Sequence, residues 1–178
     1  MQKLSHQQLL NRQNEQGKSN RLPFSLLLNN IRSLYNVGSI FRTADGAGIE
    51  KIWLCGITGI PPDSKISKTA LGAEKSVPWE FIPNAKDCIL KLKKQGYNIV
   101  LLEQAQGSIS YYDFEPKPPV CLVVGNEISG ISDDLLELCD DVVEIEMNGL
   151  KISLNVTVAT GIVTYHFRQK ILQSKKCF

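Results

Sequence analysis

The chain has 178 residues, enough for one domain with a sizeable core. Hydrophobic residues make up 43% and charged residues 21%, both ordinary for a soluble globular protein. No apolar run approaches the ~18 residues that span a bilayer, the polar start MQKLSHQQLLNRQNEQGK has no signal-peptide core, and the net charge of +2 argues neither for nor against nucleic acid; a cytoplasmic location is the expectation.

Taken in chain order, residues 3–17 predict a polar helix capped by Ser5, with Gln8 three residues on. Its apolar content (Leu4, Leu9, Leu10) is thin, so peripheral packing is expected. Phe24 to Leu28 reads as a strand, and Asn36 to Ala47 as a helix with Val37, Ile40, Phe41 and Ala44 at helix spacing. Lys51 to Cys55 is a second strand, Gly56 to Pro62 a loop, and Trp79 to Ile82 a short strand. Between them Lys68, Thr69 and Gly72 belong either to an RNA contact or to a plain surface loop. Asn84 caps a helix to Gln95 that stops at Gly96. Asn98 to Leu102 is a strand, followed by a loop through Gly107 to the PKPP of 116–119. Val120 to Val124 is a strand, Ser132 caps a short helix through Leu138, Val142 to Ile145 is the last strand, and Ser153 opens a long helix to about Gln173.

Strands alternating with helices predict a parallel α/β sheet, and their continuously apolar character predicts helices on both faces. Residues 1–22 read as a short extension, too short for a second domain, and 23–178 as the domain proper.

The five cysteines (Cys55, Cys88, Cys121, Cys139, Cys177) are an odd number without a CxxC pair, and four sit in apolar segments. They read as small buried hydrophobes in a reducing compartment. No metal site is expected, because only His6 and His166 could add imidazoles and neither is near a cysteine pair. Basic residues gather at the ends, as Arg12, Lys18 and Arg21, and as Arg168, Lys170, Lys175 and Lys176. They are either solvated or RNA contacts.

Several common motifs fail. Gly17-Lys18-Ser19 resembles the end of a phosphate loop, but Arg12 stands where the first glycine belongs and no strand precedes it. No GxGxxG follows a strand and no GxSxG is present. Asn155-Val156-Thr157 matches a glycosylation sequon but lies in a predicted helix.

Three late strands instead end in turns: Leu102 before Glu103 to Gly107, Val124 before Gly125 to Gly130, and Ile145 before Glu146 to Lys151. Open parallel sheets bind ligands outside the carboxyl ends of their strands, and glycines there let backbone approach a ligand. The pattern predicts a backbone-lined pocket without naming its ligand.

Three segments carry a family resemblance. Asn36, Gly38, Arg42 and Thr43 stand in NIRSLYNVGSIFRTADGAGI; Gly125, Glu127 and Gly130 in VVGNEISGIS; and Ile145-Glu146-Met147 leads to Ser153-Leu154-Asn155 in VEIEMNGLKISLNVTVAT. Together they resemble motifs 1, 2 and 3 of the SpoU (TrmH-type) RNA ribose methyltransferases of the SPOUT superfamily, over about Phe24 to Phe167. The resemblance implies a parallel α/β sheet with a C-terminal trefoil knot and a homodimer. It also implies S-adenosylmethionine (AdoMet) as cofactor and methylation of a ribose 2′-OH in tRNA or rRNA. It implies cofactor contacts at Leu102, Gly125, Ile145 and Leu154, largely through backbone, and catalytic positions at Arg42, Asn36, Glu127, Ser153 and Asn155.

The family gives the key role to the arginine matching Arg42. A guanidinium with pKa above ~12 is an awkward base. Either its site depresses that pKa, or it holds a phosphate and stabilises alkoxide charge. Asn36, Ser153 and Asn155 can orient the hydroxyl or hold loops, and Glu127 can fix Arg42 or cap loop amides. Singly, Asn36 and Ser153 read as helix caps, Arg42 as a surface ion-pair partner and Glu127 as a solvated acid. Their joint occurrence in three ordered motifs favours the site.

Glu146 replaces the usual proline of motif 3, which leaves a donor N–H and adds a negative charge. With no separate RNA-binding domain expected, RNA falls to the catalytic domain, the extension and the dimer partner. The main rival is a non-catalytic RNA-binding protein of the same fold, and a third class is an unrelated nucleotide-binding α/β protein.

Overall fold

A computed structural model describes residues 2–15 and 21–174. Seven parallel strands form one sheet in the order β3-β2-β1-β6-β4-β7-β5. They are β1 (Leu22–Asn29), β2 (Ile49–Cys55), β3 (Trp79–Ile82), β4 (Asn98–Leu102), β5 (Ile109–Ser110), β6 (Val120–Val124) and β7 (Asp141–Glu144). The helices are α1 (His6–Glu15), α2 (Leu34–Ala47), α3 (Ser64–Ala70), α4 (Ala73–Ser76), α5 (Ala85–Lys94), α6 (Asp133–Leu136) and α7 (Val156–Ser174).

The alternation of side chains along a strand divides the core in two. From β1 and β6, Phe24, Leu26, Leu28, Val120, Leu122 and Val124 face one layer, where Val37, Ile40 and Phe41 of α2, Ile66 of α3, and Val163, Phe167 and Ile171 of α7 cover them. Leu27, Cys121 and Val123 face the other, under Cys88, Ile89 and Leu92 of α5 and Leu135 of α6. Both faces are buried under helices, as the unbroken apolar strands predicted. Cys55, Cys88 and Cys121 are buried free thiols and Cys139 is half-buried; burial pushes the Cys121 thiol up to about 12. Cys177, Lys18, Lys175 and Lys176 lie outside the described residues.

Several boundaries differ from expectation. Among the described residues α1 starts at His6, with Ser5 and Gln8 forming the expected capping box (Ser5 N–H to Gln8 Oε1, 2.8 Å; Gln8 N–H to Ser5 Oγ, 3.3 Å). Leu4, Leu9 and Leu10 are all exposed, so even peripheral packing is missing on this face. Ser33, not Asn36, caps α2, its Oγ accepting the Asn36 N–H at 3.3 Å. The segment around Lys68, read as an RNA contact or a plain surface loop, forms two short helices, α3 with Asp63 as N-cap and α4 with Gly72 at that position. Ser132 sits at the start of α6 without a side-chain cap bond, and α6 stops at Leu136. Ser153 does not open α7. Asn155 does: its Oδ1 accepts from the Thr157 N–H at 2.9 Å and the Thr157 hydroxyl at 2.6 Å, the usual preference of Asn for that position. The two-residue β5 was not foreseen, because so short an edge strand leaves no period to read.

Two terminal cations are engaged structurally. Arg21 donates to the carbonyls of Ile49 (2.9 Å) and Ser76 (2.7 Å) and lies 3.8 Å from Asp45, and Lys170 pairs with Glu115.

Candidate active site

The strand order sets β6, β4 and β7 side by side, so their three exits converge. The chain leaving them lines a cleft of about 490 Å³ that includes Leu102, Gly125, Glu127, Ile145, Ser153 and Leu154. All four residues expected at a cofactor, and two of those expected in catalysis, thus share one cavity.

The motif 2 turn is held by its own backbone. Asn126 N–H donates to Gly130 O at 3.1 Å and Gly130 N–H returns to Asn126 O at 3.0 Å. A Cβ on Gly125 would lie 2.5 Å from Gly130 O and 2.6 Å from Ile131 Cγ1. The glycine is therefore required by the turn itself, before any ligand enters.

Glu127 points from this turn toward the start of α2. Its carboxylate accepts from the Arg32 N–H (2.9 Å), the Ser33 N–H (3.1 Å) and the Asn36 amide (2.8 Å). Burial pushes this carboxyl up, but these donors outweigh it and hold its pKa below the ordinary carboxylate value. Of the two roles open to Glu127, the geometry is that of capping loop amides. Asn36 is free to make this bond because Ser33 caps the helix.

Sequence reasoning passed over the groups that brace the cleft. Glu103 accepts from the Ile131 N–H (2.9 Å) and the Gln104 N–H (2.9 Å). Asn126 donates to Asn30 O at 2.8 Å and accepts from the Ile128 and Ser129 N–H groups at 2.9 and 3.0 Å. Asn30, left-handed at φ 59°, accepts from the Ile57 N–H at 3.1 Å. The Gln104 amide reaches Ile152 O at 2.6 Å and ties down the segment before α7. The available signal was Asn at strand exits, where its side chain satisfies nearby amides.

Arg42 lies elsewhere. It is exposed on α2, six residues and ~9 Å of helical rise beyond Asn36, and lines a groove of about 510 Å³ with Ser39, Thr43, Lys68, Thr69 and Tyr165. Asn155 is occupied as the α7 cap. Glu146 is exposed and outside the cleft lining.

The two cavities differ in charge. Glu103, Glu127, Asp133 and Glu144 line the cleft, with no Lys or Arg among the described lining residues. The groove carries Arg42 and Lys68 with no Asp or Glu, and neither cation makes an ion pair among the described residues. The cleft suits a cationic or backbone-bound ligand, and the groove a polyanion.

Known proteins resemble this chain in sequence and fold. The chain is 32% identical over 142 residues to a tRNA (guanosine(18)-2′-O)-methyltransferase of Aquifex aeolicus, covering 79% of this chain and 66% of that protein. It is 33% identical over 144 residues to the 23S rRNA (guanosine-2′-O-)-methyltransferase RlmB of Shewanella oneidensis, covering 81% and 58%. The chain spans 58–66% of the length of these and the other curated relatives it was compared with. Among solved structures, the A. aeolicus TrmH/SpoU tRNA modifying enzyme superposes with TM-score 0.81 at 26% identity, covering 94% of this chain and 86% of that one. The methyltransferase AviRb of Streptomyces viridochromogenes, solved with AdoMet, superposes with TM-score 0.79 at 26% identity, covering 86% and 62%. The SpoU rRNA methylase family model matches residues 23–165, and with motifs, cleft and fold in agreement the chain belongs to that family.

Proposed function

We propose that this protein is an AdoMet-dependent methyltransferase acting on a ribose 2′-OH of tRNA or rRNA. The observation that carries the reading is the charge division among the described residues: an acidic cleft lined by no Lys or Arg, and a separate cationic groove lined by no Asp or Glu. Nucleotide polyphosphates such as ATP or NAD would meet four carboxylates in the cleft, which disfavours the unrelated nucleotide-binding class. A sulfonium fits that field, and the backbone groups of Leu102, Gly125, Ile145 and Leu154 suit the rest of AdoMet. When bound, it supplies an electrophilic methyl group.

The chain's own residues do the remaining work. Glu127 and Asn36 lock the start of α2 to the cleft wall. Ser153 lines the cleft where it can orient the hydroxyl, and Asn155 fixes the last loop by capping α7. The planar, multi-donor guanidinium suits Arg42 to stabilising alkoxide and phosphate charge. Because Arg42 lies outside the cleft of its own chain, the reading includes a homodimer in which one chain's Arg42 completes its partner's site. The exposed Val158 and Tyr165 of α7, together with Ile162, offer an apolar stripe for that contact.

A threaded C-terminus belongs to the same reading, supported by Ile145, Met147, Ile152, Ser153 and Leu154 lining one cleft with the exits of β4 and β6 before α7 returns to pack on α2. So do a domain over 23–178 with residues 1–22 as an extension, and a cytoplasmic location; no described helix is long and apolar enough to cross a membrane. The test is methyl transfer from labelled AdoMet to total RNA, then nuclease mapping of the product. Label in 2′-O-methylated nucleotides is the expected result. AdoMet binding without transfer to any RNA would favour the non-catalytic rival.

A further inference from the structure

Tyr35 is a large aromatic residue left 44% exposed in the first turn of α2, one position before Asn36. Its backbone is held on two sides: its carbonyl accepts from the Ser39 hydroxyl and the Thr69 hydroxyl, both at 2.9 Å. Both of those residues line the Arg42 groove. The Lys68 ammonium, which also lines it, stands 6.0 Å from the Tyr35 ring centroid. The ring therefore borders a groove with two cations that make no ion pair among the described residues, and it is fixed to the helix that Asn36 and Glu127 join to the cleft. A core role does not account for it, since the ring is not among the buried residues.

An aromatic ring beside cations that follow a backbone is the composition of a single-strand platform. The ring stacks a base by its face, whatever the base, and the cations hold the flanking phosphates. We propose that Tyr35 stacks an unpaired nucleobase at or next to the target nucleotide, with Lys68 holding its phosphate. Tyr35 is then a positioning residue that favours looped or frayed RNA over duplex. The proposal rests on the RNA methyltransferase reading.

The test uses the full chain with a fluorescently labelled short single-stranded RNA of mixed sequence and the matching duplex. Tyr35→Ala should weaken single-strand binding roughly fivefold or more and leave duplex binding and AdoMet binding unchanged. Tyr35→Phe, which keeps the ring, should bind like the parent. Lys68→Gln should weaken both RNAs and lower the salt dependence by about one phosphate contact. In methylation assays Tyr35→Ala should raise KM for RNA with little change in kcat. Equal loss on both RNAs, or no loss on either, overturns the stacking role. A parent that prefers single strands through Tyr35 yet transfers no methyl group would sink the enzyme reading and leave this one standing.

Discussion

Glu127 satisfies three donors with one carboxylate, so its charged form is the one the native state favours. Glu127→Gln puts an amide among those N–H groups and should cost about 1–3 kcal/mol in urea unfolding at neutral pH. The sign with pH follows from its lowered pKa. The unfolded chain binds this proton more readily, so the stabilisation is full above the ordinary carboxylate value of about 4. It is lost as pH falls toward the lower native value. The gap between parent and variant should therefore narrow in acid; a constant gap would mean that shape, not charge, matters. Arg42→Ala should reduce methyl transfer at least ~100-fold while calorimetry shows AdoMet binding intact, since Arg42 is outside the cleft. Arg42→Lys should fail as well, lacking the planar fork. From sequence, Gly125 reads as a glycine kept bare so that backbone can approach a ligand. A Cβ there would instead meet the Gly130 backbone. Even Gly125→Ala should lower stability by about 1–3 kcal/mol along with AdoMet affinity, read by thermal unfolding with and without the cofactor.

At the scale of elements, α2 is the hinge of the site: one end meets the cleft through Asn36, and its outer side forms the groove with α3. Gly38 makes the second contact possible. A Cβ there would run into Ile66 O and the Thr69 hydroxyl of α3. Alanine normally stabilises a helix interior over glycine by about 1 kcal/mol. Here backbone cannot yield, so Gly38→Ala should destabilise by about 1–3 kcal/mol in urea and push Lys68 away from Arg42. A gain in stability would show that α3 moves freely. The spacing of apolar residues placed β1, α2, β4, β6 and α5 closely, because long runs with a clear period bury predictably. It missed α3 and α4, where a few turns around Lys68 hold too few apolar residues to show one. It put the start of α7 too early, because Ser153 and Asn155 are both good caps and only the path of the loop chooses between them.

For the whole molecule, the proposed shared site gives a test that no single variant provides. Mixing Arg42→Ala protein with Gly125→Ala protein creates heterodimers in which one intact cleft faces one intact Arg42. Methyl transfer should recover to a substantial fraction of the parent rate. No recovery in a mixture whose sedimentation shows dimers would place the whole reaction within one chain. The groove of Tyr111, Tyr112, Ile162, Tyr165, His166 and Arg168 lies along the same face of α7, and Tyr165 lines both it and the Arg42 groove. Tyr165→Asp should therefore weaken dimerisation and RNA methylation together while AdoMet calorimetry is unchanged.

The sequence by itself determined six of the seven strands, the parallel α/β class, the three motifs and the four expected cofactor residues that converge on the cleft. These depend on local period and on residue chemistry carried in short windows. Only the tertiary structure decided how the motif residues divide. Glu127 bonds Asn36 rather than Arg42, Asn155 is a cap, Gly125 answers to Gly130, and Arg42 faces a different cavity from its motif partners. Those outcomes depend on which strand exits lie side by side and how closely two helices approach. Both are set by long-range packing that neighbours in sequence do not encode.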